Sequence, residues 1–291
     1  MSVFDKRAVR RAFGRAAGTY TQAAVLQREV EARLLEQLQY LDDRVPARVL
    51  DLGCGPGSAA AALKVKWGRK TDVIAMDLAL PMLREARAKS RFWKPLHAVQ
   101  GDAQALPFAD AAFDLVFSNL CLQWVADLPR ALGELRRVMR EGGLLVFSSF
   151  GPETLVELRE AYAGAGFEPP LSPFAAIQQV GDALVAQGFK NPVLERERYT
   201  LTYADTAALM RELQAIGATD ARPERPRGLA GKGRHRAVAA AYEALRCDGV
   251  LPSTWEVVTA MAWAPPPGAA RREGGADIAT FPLDKLTVRK R

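Results

Sequence analysis

The stretch VLDLGCGPGSAAAAL at 49–63 constrains the fold of this chain more than any other. An apolar strand pattern runs into Gly53, Gly55 and Gly57 and then into a helix-forming alanine run, so strand must become helix in one tight turn. Residues without a Cβ reach the backbone conformations such a turn needs and let a ligand approach the main chain closely. A dinucleotide fingerprint would place glycine or alanine at 58, where Ser58 stands, and no phosphate-gripping lysine follows. Pyrophosphate and triphosphate are therefore disfavoured as ligands.

Beyond this turn the hydrophobic periodicity switches repeatedly between two and 3.6. It predicts strand 48–52, helix 57–65, strand 72–76, helix 80–89, strands 96–99 and 114–118, helix 128–139 and strand 143–149. That order calls for an α/β fold, a doubly wound, Rossmann-like parallel sheet with helices on both faces. Two helices, 6–17 and 20–39, precede it. Helices 153–163 and 174–187, strand 192–202, helices 205–217 and 234–247, and strand 253–265 follow; in the last, Trp255, Val257, Met261 and Trp263 alternate onto one face. The expected organisation is a helical segment at 1–46, a ligand-binding core at 47–202, a helical lid inserted at 203–250, and the last core strand with a tail at 251–291, the tail a loop with a short end segment.

Composition narrows the class. Hydrophobic residues at 49% and charged residues at 25% exclude a disordered chain and a disulfide scaffold. Three cysteines at wide spacing predict free thiols and a cytoplasmic protein, and no run of eighteen apolar residues predicts a membrane span. No metal-ligand cluster is visible. The formal charge of +7 points to an acidic partner.

Carboxylates follow the successive strands. Asp77 closes the second, where it can accept both hydroxyls of a ribose, and Asp102 follows the third, where it can accept from an adenine amino group while Ala103 offers a backbone amide. Taken singly, Asp77 equally suits a helix cap and Asp102 a turn. Together they mark a nucleoside site.

With VLDLGCGPG, AMD, GDAQALPF, FDLVFSNLCLQW and LRRVMREGGLLVFSSFG in that order, residues 47–151 resemble the class I S-adenosylmethionine-dependent methyltransferases, which implies a seven-stranded sheet. The resemblance implies that Gly53, Gly55 and Gly57 face the methionyl part, Asp77 the ribose, and Asp102 and Ala103 the adenine, with Met82 in the cofactor site and Asn119 and Gln123 near the sulfonium. FGRAAGTYTQAAVLQREV, FGPETLVELREAY, LMRELQAIGA and LPSTWEVVTAMAW extend it, over nearly all of 12–264, to the malonyl-(acyl-carrier protein) O-methyltransferases of biotin synthesis. That family esterifies the free carboxyl of a malonyl thioester on acyl carrier protein, which implies that protein as partner, with neither nucleic acid nor membrane, and a monomer.

A carboxylate is ionised at neutral pH and needs no general base. Neither histidine is required: His97 reads as a strand-edge residue and His235 as exposed. What the reaction needs is alignment, water exclusion and a cation gripping the malonyl carboxylate. Arg211 is the first candidate and Arg227 the second, each with the alternative of a solvated arginine; Tyr20 either closes the cofactor pocket or packs in the core. Basic clusters at Lys6, Arg7, Arg10, Arg11 and Arg15 and at Arg222, Arg225, Arg227, Lys232, Arg234 and Arg236 would steer an acidic carrier if both rim one entrance. A protein arginine-modifying assembly factor of the complex I type and a small-molecule methyltransferase are the alternatives. Nucleic-acid methyltransferases are disfavoured, since SNLC stands where a base-flipping enzyme carries Pro-Pro-aromatic or Pro-Cys.

Overall fold

The computed structural model describes residues 4–41, 44–90, 95–171, 173–222, 231–266, 268–273 and 276–278. Strands β1 (Arg48–Leu52), β2 (Asp72–Asp77), β3 (His97–Gln100), β4 (Phe113–Ser118), β5 (Met139–Phe150), β6 (Lys190–Tyr203) and β7 (Leu251–Trp263) form one sheet in the order β3-β2-β1-β4-β5-β7-β6. The first five are parallel, whereas β7 runs antiparallel to both β5 and β6. The wholly parallel sheet expected from the alternating elements is thus a mixed one. Its cause is the connection between β6 and β7, which returns to the adjacent position instead of making a parallel crossover.

Helices α1 (Lys6–Ala23) and α2 (Val25–Glu36) precede the sheet, and α3 (Ser58–Trp67), α4 (Leu80–Ala88), α5 (Leu128–Val138), α6 (Val156–Gly164) and α7 (Ile177–Ala186) connect its strands. Between β6 and β7 lie α8 (Thr206–Ala215) and α9 (Lys232–Glu243). Asp5, Asp127 and Asp205 cap α1, α5 and α8, each accepting a backbone N–H of the first turn, which satisfies one otherwise orphaned donor. The expected break near residue 18 is displaced: α1 continues through the exposed Gly18, and the chain turns at the buried Ala24, whose N–H still donates to Tyr20 O. Packing of Ala12, Ala16 and Ala17 outweighs the roughly 1 kcal/mol that a helical glycine costs.

Both faces of the sheet are covered, which is why β1, β4 and β5 read as continuous apolar runs. Leu50, Leu52, Val116, Leu145 and Phe147 pack with Leu132 and Leu135 of α5 and Leu184 of α7. Val49, Leu115, Phe117 and Val146 pack on the opposite face with Leu34 of α2, Leu63 of α3 and Leu83 of α4. Each such side chain contributes about 1.5–3 kcal/mol by burial. On β7 the expected face is present, but Val258, Ala260 and Ala262 of the other face are buried as well. After residue 264, β8 (Arg271–Glu273) and β9 (Ala276–Ile278) pair antiparallel in a second, two-stranded sheet. Among the described residues no helix is long and apolar enough to cross a membrane, all three cysteines are free, and no group of metal-ligating side chains occurs.

Candidate active site

The turn after β1 holds Gly53, Gly55 and Gly57 at φ +69°, +51° and +79°, the left-handed region that an L side chain resists. Gly53 and Cys54 both donate to Met76 O (2.8 and 2.9 Å), which pins the turn to the end of β2. Gly57 caps α3, and a Cβ there would lie 2.6 Å from that of Ala86, so this third glycine serves helix packing and lines neither cavity described next.

Two cavities flank the turn and share Tyr20, Gly53, Gly55 and Asn119. The larger, of about 780 Å³ and open to solvent, contains Asp77, Met82, Asp102 and Ala103. Asp77 accepts from Gly55 N–H (2.9 Å) and Ala79 N–H (2.8 Å), so it ties the glycine turn to the residue preceding α4 while lining the cavity; it does not itself cap α4, whose N-cap is Ala79. Burial raises its pKa, and these backbone donors pull it back down. Asp102 likewise closes its own turn by accepting from Gln104 N–H (2.9 Å), and its second oxygen pairs with Lys6 Nζ at 2.5 Å.

The smaller cavity, of about 500 Å³, holds Glu31 and Asp51 with Arg28 and Lys89. Asp51 is 2% exposed and its Oδ2 has no hydrogen-bond partner. Burial, reinforced by Glu31, holds its pKa well above the ordinary carboxylate range. An unpaired buried carboxylate oxygen is costly, and a cationic ligand group supplies the partner it lacks. A ligand with a nucleoside at one end and an ammonium at the other matches the two chambers, with its middle crossing at Tyr20 and Asn119.

Asn119 donates from Nδ2 to Gln27 O (2.9 Å) and accepts from Ser148 Oγ (2.7 Å). Tyr20 is half-buried, and desolvation of its phenol, reinforced by Asp77 and Glu31, pushes its pKa up, so it keeps its proton at neutral pH.

The sequence reading missed the roof. Lys6, Val9 and Phe13 of α1 join Tyr20 over the larger cavity, with Phe13 edge-on to Trp124 (5.4 Å between centroids). The signal was a stripe at 6, 9, 13 and 20, legible only if 6–23 is one helix. Cys121 also lines this cavity, pressed against Gly53. Gln123 is not brought to the site: its Nε2 donates to Leu120 O (2.7 Å) and it lines neither cavity. Arg211, 69% exposed and 3.9 Å from Asp205, lines neither as well, because α8 buries Leu209 and Leu213 instead. Arg227 lies outside the described residues. His97 opens the edge strand β3 and His235 is exposed, as expected.

The model of the Methyltransferase domain family matches residues 50–147. Malonyl-(acyl-carrier protein) O-methyltransferase of Xylella fastidiosa is 53% identical over 99% of this chain and 98% of that protein. This chain belongs to the malonyl-(acyl-carrier protein) O-methyltransferase family. The enzyme of the same name from a Methylovorus species is 46% identical over 94% of this chain and 93% of its own. The fold recurs in the YcgJ protein of Bacillus subtilis, with a TM-score of 0.56 at 17% identity over 83% of this chain and 98% of that one. The protein is thus a class I, S-adenosylmethionine-dependent methyltransferase.

Proposed function

We propose that this protein transfers the methyl group of S-adenosylmethionine to the free carboxyl of a malonyl thioester carried on acyl carrier protein, giving the methyl ester from which a pimeloyl chain for biotin is built. The observation that carries the acceptor is the 53% identity over 290 residues, which spans the elements around the cavities as well as the glycine turn. It does not favour an arginine-modifying assembly factor.

When bound, the donor supplies an electrophilic methyl on a sulfonium. In this reading Asp77 receives the ribose hydroxyls, and Asp102 and Ala103 the adenine edge. Asp51 and Glu31 face the methionyl ammonium, and Gly53 and Gly55 give the ligand backbone contact. Tyr20, protonated and half-buried, closes the crossing between the chambers and can donate to an approaching carboxylate. The acceptor oxygen is already ionised, so the protein's work is alignment and exclusion of water. α1 does the excluding with Val9, Phe13 and Tyr20. Arg211 and Arg227 remain the sequence-based candidates for gripping the malonyl carboxylate; with the Arg211 side chain outside both cavities, that role requires α8 to move. The reading includes a cytoplasmic monomer acting without nucleic acid or membrane.

The deciding experiment incubates purified protein with methyl-labelled S-adenosylmethionine and, separately, malonyl-carrier protein, malonyl-coenzyme A, free malonate and RNA. Base-labile label on the malonyl thioester is expected. Label in RNA, or none on any malonyl thioester, overturns the reading.

A further inference from the structure

A third cavity, of about 440 Å³, adjoins the larger chamber and shares Trp124 with it. Its floor is Phe150 at the end of β5, Thr154 and Leu155 at the start of α6, and Trp255 of β7. Its roof is Leu213 and Ala218 from the segment closing α8, with Leu171 beside them. No residue of the donor site apart from Trp124 belongs to it.

We infer that this cavity receives the acyl-pantetheine arm of the carrier and leads its terminal carboxylate past Trp124 to the methyl donor. The inference rests on the acceptor class proposed above. A carrier protein is too large to enter the larger chamber, so its acyl group must arrive on the arm through a passage from the surface. The methionyl chamber is taken by the donor, which leaves this cavity as the one among those described that adjoins the donor site.

Its chemistry fits such an arm. Phe150, Leu155, Leu171 and Leu213 offer apolar contact to methyl groups and a thioester, and nothing on the floor competes for the carboxylate's charge. Trp255 is 2% exposed and its Nε1–H is buried without a hydrogen-bond partner. A donor left unsatisfied in that wall is matched by an amide or thioester carbonyl of the arm.

The surface beside the cavity fits an acidic carrier and the phosphate at the base of its arm. Asp220, which lines the cavity, is held by Arg222 through two contacts of 3.1 Å. Arg222 and Arg234 both reach Glu168, two residues before the lining Pro170, and Arg234 stacks over Phe167 at 5.1 Å. These charges cancel locally. A surplus of positive charge comes from α1, tied alongside by Asp5 N–H donating to Ala221 O (2.8 Å): its Arg7, Arg10 and Arg11 are exposed and have no ion pair among the described residues. Arg222 and Arg234 thus lie beside the same cavity as the start of α1, whose exposed arginines favour encounter with a negatively charged partner.

The test blocks the passage. Ala218→Trp places a large ring in the roof, and Leu171→Trp does so from beside it should the first variant not fold. Each is expected to lower kcat/KM for malonyl-coenzyme A and for malonyl-carrier protein at least tenfold, with the Kd for S-adenosylmethionine unchanged by calorimetry. Trp255→Phe keeps an aromatic, though smaller, ring on the floor and deletes the N–H; it is expected to raise KM for malonyl-coenzyme A several-fold with little change in kcat. Wild-type kinetics in a folded blocking variant would overturn the passage while leaving the proposed function standing. A wild-type enzyme inactive on every malonyl thioester would instead overturn the function on which the inference rests.

Discussion

Replacing Gly53 by alanine tests how tightly the glycine turn is built. At φ +69° the substitution costs about 1–2 kcal/mol in backbone strain. Its Cβ would also stand 2.3 Å from Cys121 Sγ and 2.5 Å from Cys121 Cβ, far inside van der Waals contact. Overpacking of this kind costs about 1–3 kcal/mol. The sum, on the order of 2–5 kcal/mol, corresponds to a fall in Tm of roughly 5–15 °C for a domain of this size. The steric part is separable. Cys121→Gly removes both clashing atoms, and Cys121 has an ordinary φ of −111°, so glycine is admissible there. Thermal unfolding of Gly53→Ala, Cys121→Gly and the double variant should therefore show a favourable coupling of about 1–3 kcal/mol, with the backbone cost persisting in the double variant. Titration with S-adenosylmethionine should show weakened binding in Gly53→Ala, since this glycine lines both chambers. Strictly additive effects would refute the reasoning, because they would mean that the methyl group and the thiol never meet.

Asp51→Asn should stabilise the protein at neutral pH and weaken cofactor binding by about 1.5–3 kcal/mol, the worth of a hydrogen bond to a charged group. The folded-state pKa of Asp51 is raised, so the native state holds a proton that the unfolded chain has lost; wild-type stability falls as pH rises from the ordinary carboxylate value to the raised one. Denaturation curves across pH should show this slope diminished in the variant, and parallel profiles would sink the argument. Asp77→Ala should cost about 1–3 kcal/mol of cofactor affinity. Because it also strands the N–H groups of Gly55 and Ala79, Asp77→Asn should recover part of the stability but not the affinity, and unchanged affinity by calorimetry would contradict the ribose assignment. Lys6→Ala breaks a half-exposed pair worth at most about 1 kcal/mol of stability. By freeing Asp102 it should leave cofactor binding equal or slightly tighter, and weaker binding would refute competition between Lys6 and adenine for that carboxylate.

What the sequence determined by itself was whatever depends on neighbours along the chain. Turn chemistry at Gly53 and Gly55, the apolar runs of β1, β4 and β5, and carboxylates at strand ends are local signals, and they located Asp77, Asp102 and Ala103 at the larger chamber, to which the family resemblance added Asn119. Gly57 obeys the same local pattern, yet its neighbour Ala86 is 29 positions away, and only that contact turns it from ligand glycine to packing glycine. Arg211 was chosen from the segment LMRELQAIGA, but which face α8 turns inward follows from Leu209 and Leu213 finding the apolar cluster over β7. The antiparallel course of β7 and the position of the α1 roof were decided in the same way. Lys6 and Asp102 are 96 residues apart, as are no two groups that a local pattern can pair, and it is the collapse of α1 onto α4 and α8 that brings them together. Periodicity tells which side of an element is apolar; which distant surface covers it is settled only when the whole chain has buried its faces at once.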